Sequence, residues 1–570
     1  MISILRKWPV LCCALILTGC GGGSSQITNP TITLTTPSSS TLVAGSTLQL
    51  RATVTNSDNT TVLWYVNNIA GGNSFLGTIT PQGLYTAPSL PPQGGIVIIS
   101  AAPQAFPIAI TSITIGITFG SNSLNSNYVF TLNGAQGGSP WAATGSFTGS
   151  NGSISNGIED INGPSGVAQA LPFTGSYVIA ANGQGTATFN SAQGSVTLTF
   201  TLNSQGQAVA MRSDAGSVAT GFFYPQLPTA LTLANLNAPY VFSFTGSDSS
   251  TKPLNVIGAF ITNGSTTLAS AEEDINDGGT TVHQTFNGIY TSISNGHGTA
   301  TFTNATGTRS YSFYVVSPAQ LQFIETDASG HLSGTAFQQQ AVTPSTTLSG
   351  LYVFYASGYS GSAAYGNVGG FSTNATTSGN INAGTDDINT AGTIVTNASL
   401  TGSFNVGPLG RGTLTLSGAS GANNYVYYLI TPTQAFLLST PAGINASGQL
   451  YNQTGGFVIT SLYGNYILQV ASPVSISKPF STIGLINLDG VSAVAGSETV
   501  NTNGTISGDL AVTGTYALAT ATSTTSTRGI INLVTGGGAT TDYVFYPISS
   551  SAIILMGDDS STPAGTMATQ

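Results

Sequence analysis

Apolar side chains alternate with small or polar ones in short runs along most of this chain. The clearest run holds Tyr240, Phe242 and Phe244 at every second position, which is the period of a strand with one buried face. Further runs of strand length follow it, and the gaps between them are rich in Gly, Asn, Asp and Pro. The pattern predicts an all-β protein of short strands joined by tight turns.

A unit of about 112 residues occurs four times in succession. Each copy opens with a tyrosine on the alternating run and closes with a glutamine. The opening residues are Tyr128, Tyr240, Tyr352 and Tyr466, and the closing residues are Gln226, Gln339, Gln453 and Gln570. Solenoid repeats span only about 20–50 residues, so each of these longer copies is expected to bury a core of its own.

Each copy has about eight strand-length runs with short connections, and short connections favour antiparallel neighbours. An open meander of this kind leaves two unpaired edges, and closure removes them. We therefore expect one eight-stranded up-and-down barrel per copy, with a two-sheet β-sandwich as the alternative. The expected repeats are 126–226, 238–339, 350–453 and 464–570.

Polar or mixed segments of about ten residues separate the predicted domains. They lie at 118–125, 227–237, 340–349 and 454–463. We expect separate barrels strung along the chain like beads, and the composition of these segments does not fix the tilt between neighbours.

The start of the chain carries a targeting pattern. Arg6 and Lys7 precede the short apolar stretch 11–18, which is too short to span a bilayer, and Leu17-Thr18-Gly19-Cys20 follows. This segment resembles the signal peptide and lipobox of bacterial lipoproteins. The resemblance implies a signal peptide at 1–20, cleavage before Cys20 and a lipid attached to Cys20. Gly21 is not acidic, which favours the outer over the inner membrane in a cell with two membranes.

A Gly- and Ser-rich tether at 21–29 precedes a predicted β-sandwich at 30–117. Short strand-like runs surround Trp64 in VLWYVNN, and GTITPQGLYTAPSLPP follows. This block resembles bacterial Ig-like domains, which implies a spacer or adhesive unit. No cysteine follows Cys20, so packing must stabilise this domain without a disulfide.

Charged residues make up only 5% of the chain. Removal of Arg6 and Lys7 would leave seven basic residues against nineteen acidic ones, a net charge of −12. A nucleic-acid partner needs a basic surface, and this chain has none to offer. The expected contacts are the membrane through the lipid and a cell-surface glycan or protein, with no cofactor.

One acidic tetrad recurs in every copy, with an acid first, an aliphatic residue third and Asn last. Its copies are 159–162 (EDIN), 273–276 (EDIN), 386–389 (DDIN) and 498–501 (ETVN). The favoured interpretation is a strand that ends in a Gly-rich turn bonded by the Asn side chain, with the first acid on the inward face. The alternative is a Ca²⁺ site. Its ligands would be Glu159, Asp160, Asn162, Glu273, Asp274, Asn276, Asp386, Asp387 and Asn389.

The three histidines are His283, His297 and His331, and none has a histidine counterpart in another copy. The residues that correspond to His297 are Gln184, Arg411 and Arg528. A position that accepts these types is interpreted as a solvated hairpin, and all three histidines are expected at the surface. Adjacent acids on a strand point to opposite faces, so they are poorly placed as a catalytic pair. No catalytic residue is predicted.

These features favour a lipid-anchored modular cell-envelope protein with a structural, adhesive or surface-binding role and no catalytic activity. Any affinity would come from several weak sites acting together. Two alternatives stay open. One is a carrier that holds a small apolar ligand inside each barrel, lined by the inward Tyr and Phe side chains. The other is an envelope enzyme that acts on polysaccharide, with its site in the divergent fourth copy.

Overall fold

In a computed structural model of the chain, the described residues are 29–570 except 36, 38, 228–231, 292, 295, 341, 343–347, 377, 419–420, 474–478, 520–525 and 559–563. They form 44 strands and four short 3₁₀ turns, at Ser121–Leu124, Leu233–Asn235, Pro408–Gly410 and Ile459–Ser461. No helical segment within these ranges has the length and apolarity to cross a membrane. The predicted signal peptide, Cys20 and most of the tether lie outside the described residues.

The N-terminal region forms three small sheets around one core. Its strands are β1 Thr31–Leu34, β2 Thr41–Val43, β3 Thr47–Gln49, β4 Ala52–Thr55, β5 Val62–Val66, β6 Ile69–Ala70, β7 Gly72–Asn73, β8 Gly77–Ile79, β9 Leu84–Thr86, β10 Ile96–Pro103 and β11 Thr111–Thr118. The sheet orders are β2-β11-β10-β5-β6, β3-β9-β8-β7 and β1-β4. Trp64 on β5 and Tyr85 on β9 share the core, so different sheets bury their aromatic side chains together.

The first repeat closes into a barrel of eight antiparallel strands. Its strands are β12 Asn127–Gln136, β13 Ser139–Ser150, β14 Ser153–Gly163, β15 Gly166–Ile179, β16 Gln184–Ser191, β17 Gly194–Leu202, β18 Ala208–Arg212 and β19 Ser217–Pro225. Because β12 pairs with both β13 and β19, the sheet has no free edge. Tyr128, Phe130 and Leu132 point into the core, as the alternation predicts. Phe119 also enters this core and joins the N-terminal region to the barrel.

The third and fourth repeats close in the same way. The strands of the third barrel are β29 Leu348–Ser360, β30 Ala363–Thr376, β31 Ser378–Thr390, β32 Thr393–Val406, β33 Arg411–Gly418, β34 Gly421–Thr431, β35 Gln434–Ser439 and β36 Ile444–Asn452. Those of the fourth are β37 Tyr463–Ala471, β38 Phe480–Asp489, β39 Ala493–Thr502, β40 Thr505–Leu518, β41 Gly529–Thr535, β42 Thr540–Ser549, β43 Ala552–Gly557 and β44 Ala564–Thr569.

The second repeat has one interrupted strand. Its strands are β20 Pro239–Ser247, β21 Pro253–Thr262, β22 Leu268–Asp277, β23 Thr280–Thr285, β24 Asn287–Tyr290, β25 His297–Asn304, β26 Gly307–Ser317, β27 Gln320–Glu325 and β28 Ser333–Gln338. The two ends of this nine-stranded sheet are β23 and β24, which are the halves of one strand broken at Phe286. The bridge between Thr267 and Ile289 brings the second half against the same neighbour, β22. The predicted barrel is therefore confirmed, and the sandwich alternative is wrong.

Apolar side chains fill the barrel interiors. In the first barrel the ring centroids of Phe130 and Phe189 are 5.2 Å apart, and in the second those of Phe242 and Phe244 are 4.6 Å apart. These centroid distances are normal for aromatic side chains packed in a core. The carrier hypothesis needs the inward rings to line an open space, whereas in the first two barrels these rings contact one another.

The four barrels pack side by side in a closed ring. We call each contact surface between neighbouring barrels a joint. Outward apolar side chains from both barrels meet in the joints between chain neighbours, for example Val129 with Tyr314, Val241 with Tyr428 and Val353 with Tyr546. The fourth barrel also contacts the first, because Asn501 Nδ2 donates to the Arg212 carbonyl at 2.9 Å. We call this last contact the closing joint.

The expectation of barrels strung separately along the chain is wrong, because neighbouring barrels pack against one another. Each barrel keeps its own sheet, and within the described ranges no strand pairs with a strand of another barrel. The angle between barrels is nevertheless fixed, because buried outward side chains in each joint tie the two partners together. The composition of the connecting segments carries no information about these contacts.

Candidate functional site: the joints and the central cavity

The side chain of the second acid of the tetrad points out of its own barrel and forms hydrogen bonds with the next one. Asp274 of the second barrel accepts two hydrogen bonds from the Arg411 guanidinium, at 2.7 Å each, and one from the Tyr428 hydroxyl at 2.8 Å. Asp274 is only 2% exposed. A bidentate hydrogen bond from a guanidinium is a strong interaction that offsets the lost hydration of a buried carboxylate. The hydrogen bond to Asp274 is the main cause that raises the pKa of Arg411.

The joint between the third and fourth barrels repeats this arrangement. Arg528 Nη2 donates to Asp387 at 2.6 Å, and the Tyr546 hydroxyl donates to it at 2.7 Å. Burial and the Asp387 charge together raise the pKa of the Tyr546 hydroxyl well above its ordinary value, so the hydroxyl stays protonated as a donor.

The joint between the first and second barrels uses a histidine. Asp160 is fully buried, lies 3.2 Å from His297 Nε2 and accepts hydrogen bonds from Ser312, at 3.1 Å, and from Tyr314. The predicted solvated hairpin at His297 is therefore wrong, because the neighbouring barrel covers this position. His283 is exposed, as predicted, and His331 is half-buried with its Nδ1 atom inside the protein.

The closing joint has no charge at the corresponding positions. Thr499 replaces the second acid, Gln184 replaces the base, and Thr201 replaces the tyrosine. Ser497 Oγ lies 3.2 Å from Gln184 Oε1 across this joint. The acid and base positions therefore change together, although they lie in different copies of the repeat.

The last residue of the tetrad has the same two contacts in three of its four copies. Asn276 Oδ1 accepts the Gly279 N–H of its own turn at 2.9 Å, and its Nδ2 donates to the Ser439 carbonyl of the next barrel at 2.7 Å. The predicted bond to the turn is thus confirmed for Asn276, Asn389 and Asn501. All four copies make the bond across the joint, to the carbonyls of Glu325, Ser439, Gly557 and Arg212.

The closing glutamines make a second set of equivalent bonds. Gln339 Nε2 donates to the Leu429 carbonyl of the next barrel at 2.6 Å. The corresponding bonds run from Gln226 to Val315 at 2.8 Å, from Gln453 to Pro547 at 2.7 Å and from Gln570 to Leu202 at 3.3 Å. Gln570 therefore connects the fourth barrel to the first.

The first acid of the tetrad faces the interior of its own barrel. Glu273 accepts hydrogen bonds from Asn304 at 2.7 Å and from Gln284 at 3.0 Å. Burial raises the pKa of Glu159, Glu273 and Glu498, because a low-polarity environment disfavours the charged form. The predicted inward position of the first acid agrees with these contacts.

The residues of the Ca²⁺ alternative do not converge on one point. Within a tetrad the first acid has its partners inside the barrel, whereas the second acid and the Asn have theirs in the neighbouring barrel. Across the described ranges, no group of three or more His, Cys, Asp or Glu side chains could hold a metal ion. The tetrad oxygens act as structural acceptors at the joints and inside the barrels.

A cavity of about 560 Å³ lies between the barrels. Most of its wall residues lie on the first and last strands of the barrels, and β21, β35 and β38 add a few more, so all four barrels contribute to it. Asn133, Ser243, Ser357 and Gln469 are among its lining residues, one from each opening strand. The alternation of apolar residues identifies only the inward faces of these strands, so the sequence gives no sign of this cavity.

The missed residues of the joints did leave a signal in the sequence. The acids at 160, 274 and 387 belong to the first three copies, and the bases at 297, 411 and 528 belong to the copies that follow. The neutral pair, Thr499 and Gln184, combines the last copy with the first. Comparison of each copy with its successor, rather than with the same position in all copies, would have revealed a contact between neighbours.

Comparisons with known proteins add little to this geometry. No protein-family model and no curated protein matches the chain. Among solved structures, the chain is similar to a tryptophan-to-alanine mutant of the vaccine antigen transferrin binding protein B from Haemophilus parasuis Hp5, with 10% identity over 65% of this chain and 85% of that chain. At a TM-score of 0.16 this likeness carries no conclusion about function.

Proposed function

We propose that this chain is a lipid-anchored cell-envelope protein whose four barrels form a rigid head with a structural, adhesive or surface-binding role. The observation that carries the proposal is the closed ring. Bonds from Asn501 and Gln570 return the fourth barrel to the first, so the outer surfaces of the barrels keep fixed relative positions. A rigid head of this kind presents several surfaces at once without the ordering cost of a flexible string.

The N-terminal features complete this proposal. Cys20 would carry the lipid, the tether would separate the protein from the outer membrane, and the Ig-like domain at 30–117 would act as a spacer. Phe119 packs in the core of the first barrel, which supports a firm connection between spacer and head.

We propose no catalytic activity for the head. The tetrad acids, which are the recurring carboxylates of the chain, are engaged in the joints or in the barrel interiors. Adjacent acids of one tetrad face opposite sides of their strand, so they do not form a pair around a common substrate.

The anchor is tested by metabolic labelling with a palmitate analogue in the host cell, followed by membrane fractionation. The wild type should be labelled and sediment with membranes, and Cys20→Ser should be unlabelled and soluble. Cys13→Ser, in the predicted signal peptide, is the matched control and should behave as the wild type. An unlabelled wild-type protein would remove the anchor from the proposal.

The head is tested by cell-surface adhesion assays with anchored protein. The double variant Asn501→Ala with Gln570→Ala removes the amide bonds that these two side chains make across the closing joint and should reduce adhesion. The matched control is Asn487→Ala, at an exposed residue on the surface of the same barrel. Equal adhesion by an opened ring, verified by small-angle X-ray scattering, would show that the rigid ring is not the functional element.

A further inference from the structure

We propose that the central cavity binds a single uncharged glycan chain per molecule. This inference rests on the proposed surface-binding function and names the ligand class for the head. It differs from the expected set of several weak sites, because the cavity lies between the four barrels and is shared by all of them.

The lining of the cavity contains no charged side chain. None of the residues around it is Asp, Glu, Lys, Arg or His, within the part of the chain that the structure describes. The acids of the tetrads are turned into the joints and the barrel interiors, where each has its own partners. A charged ligand would enter this cavity without a counter-ion to offset its lost hydration, so a neutral ligand is favoured.

Aromatic rings and polar groups both line the walls. Phe222 and Tyr224 lie parallel on one strand with ring centroids 5.5 Å apart, and Phe337 of the second barrel stacks on Phe436 of the third at 5.9 Å. The half-buried rings of Phe222, Tyr224 and Phe337 keep apolar surface available to a ligand, at low conformational cost on binding. A sugar ring presents apolar C–H faces that fit such surfaces.

Hydroxyl and amide groups also line the cavity. Ser243, Ser357 and Gln469 contribute them from three different barrels. Burial raises the pKa of Tyr355, which also lines the cavity, to about 12, so its hydroxyl stays a donor at neutral pH. A purely apolar ligand would leave these groups without hydrogen bonds, which is costly. Glycan hydroxyls would satisfy them, because each hydroxyl both donates and accepts.

The walls of the cavity differ from one another, although the barrels are repeats. The outward residues of the opening strands are Thr131 and Asn133, Ser243 and Thr245, Tyr355 and Ser357, and Gln469 and Ala471. The inward residues of the same strands are all core residues. The volume of about 560 Å³ is that of an ordinary ligand site, roughly 300–1,000 Å³. One asymmetric cavity of this size predicts one ligand per chain.

The inference is tested by isothermal titration of the full-length protein in detergent. The probes are hexasaccharides of glucose, galactose, mannose and N-acetylglucosamine, beside a galacturonate hexasaccharide and palmitate. We expect one of the neutral hexasaccharides to bind with a stoichiometry of one, and no binding of galacturonate or palmitate. Binding of a charged probe or of palmitate in this cavity, a stoichiometry of four, or no binding of any neutral probe would overturn the proposal.

Variants assign the binding to the cavity. Ser243→Trp and Ser357→Trp would fill it and abolish binding, whereas the matched control Thr174→Trp, on the exposed outer wall of the first barrel, should bind as the wild type. Tyr355→Phe keeps the ring and removes only the hydroxyl, and should weaken binding by about 3–10-fold even where the tryptophan variants fail to fold. Unchanged affinity in a folded Ser243→Trp or Tyr355→Phe protein would refute the site. If the folded variants keep both their glycan affinity and cell adhesion, the rigid-head function stands and only the assignment of the glycan site to the cavity fails.

Discussion

The three joints between chain neighbours and the closing joint share the same amide hydrogen bonds but differ in their charged groups. In all four, an Asn amide and a closing Gln amide donate to backbone carbonyls of the next barrel. Only the joints between chain neighbours add a buried acid with a basic partner and a tyrosine. The closing joint has Thr499 and Gln184 instead. Neutral amide bonds therefore define how two barrels fit, and the charges are an addition to that fit.

The difference shows how the order of the barrels is specified. Repeats with similar faces can pair wrongly, within one chain or between two chains. If the Asp387 face met the Gln184 face, a carboxylate would be buried without its Arg528 cation. If the Arg411 face met the Thr499 face, a guanidinium would be buried without an anion. Because breaking a buried pair in this way costs about 3–5 kcal/mol, the neutral joint marks the place where the ring closes.

Removal of a joint cation should have the largest effect. Arg528→Gln leaves Asp387, which is 0% exposed, without a cation, and should lower the free energy of unfolding by about 3–5 kcal/mol. Gln184→Ala at the corresponding position of the closing joint should lower it by under about 1 kcal/mol. Urea denaturation measures both.

The double variant Arg528→Gln with Asp387→Thr recreates the neutral pair of the closing joint and should recover most of that loss. Equal losses for Arg528→Gln and Gln184→Ala would show that the two kinds of joint do not differ in energy.

A charge placed in the neutral joint should have the next largest effect. Thr499→Asp places a carboxylate at a buried position of the joint whose base position holds Gln184. It should cost about 2–3 kcal/mol, because this carboxylate would lack a cation. Addition of Gln184→Arg should restore stability, and Thr499→Asn is the neutral control of similar size. Small-angle X-ray scattering should show an expanded ring for Thr499→Asp alone. A compact and stable Thr499→Asp protein would contradict the assignment of this joint.

The tetrad asparagines should make equal contributions in both kinds of joint. Asn276 donates to two carbonyls at 2.7 and 2.8 Å, and Asn501 donates to two at 2.9 and 2.7 Å. We expect Asn276→Ala and Asn501→Ala each to lower the free energy of unfolding by about 1–2 kcal/mol. A near-neutral Asn501→Ala beside a costly Asn276→Ala would mean that the ring is open in solution.

An inward acid should have the smallest effect, with a defined pH dependence. Burial raises the pKa of Glu498 above its ordinary value of 4.5. The folded protein therefore holds this proton more tightly than the unfolded chain, and the wild type loses stability as the pH rises through the raised pKa. Glu498→Gln should therefore be more stable than the wild type at pH 7. The gain should vanish below pH 4.5.

The control for this pH dependence is the exposed Asp489, whose pKa is lowered by hydrogen bonds from the N–H groups of Val491, Ser492 and Ala493. Asp489→Asn should therefore be less stable than the wild type at neutral pH, with the difference lost in acid. Thermal unfolding at pH 7 and pH 3.5 separates the two signs. The same sign for both variants would contradict the inward position of Glu498.

Alternation and turn composition were sufficient to predict the barrels and their inward residues. The predicted bond of the tetrad Asn to its own turn was correct because the partners are close in sequence, as with Asn276 and Gly279. The same reasoning failed for His297, because its surroundings depend on a neighbouring barrel. It also missed the second acid of the tetrad, whose basic partner lies in the following copy.

By itself the sequence determined the all-β class, the four repeats and the inward face of each strand, because these follow from interactions between residues that are near in the chain. Only the tertiary structure decided the ring, the pairing of acids with bases in the joints, and the central cavity. Asp274 and Arg411 are 137 residues apart, and Asn501 and Arg212 are 289 apart. The contacts of an outward side chain depend on the barrel that covers it. The sequence of its own strand does not specify which barrel that is.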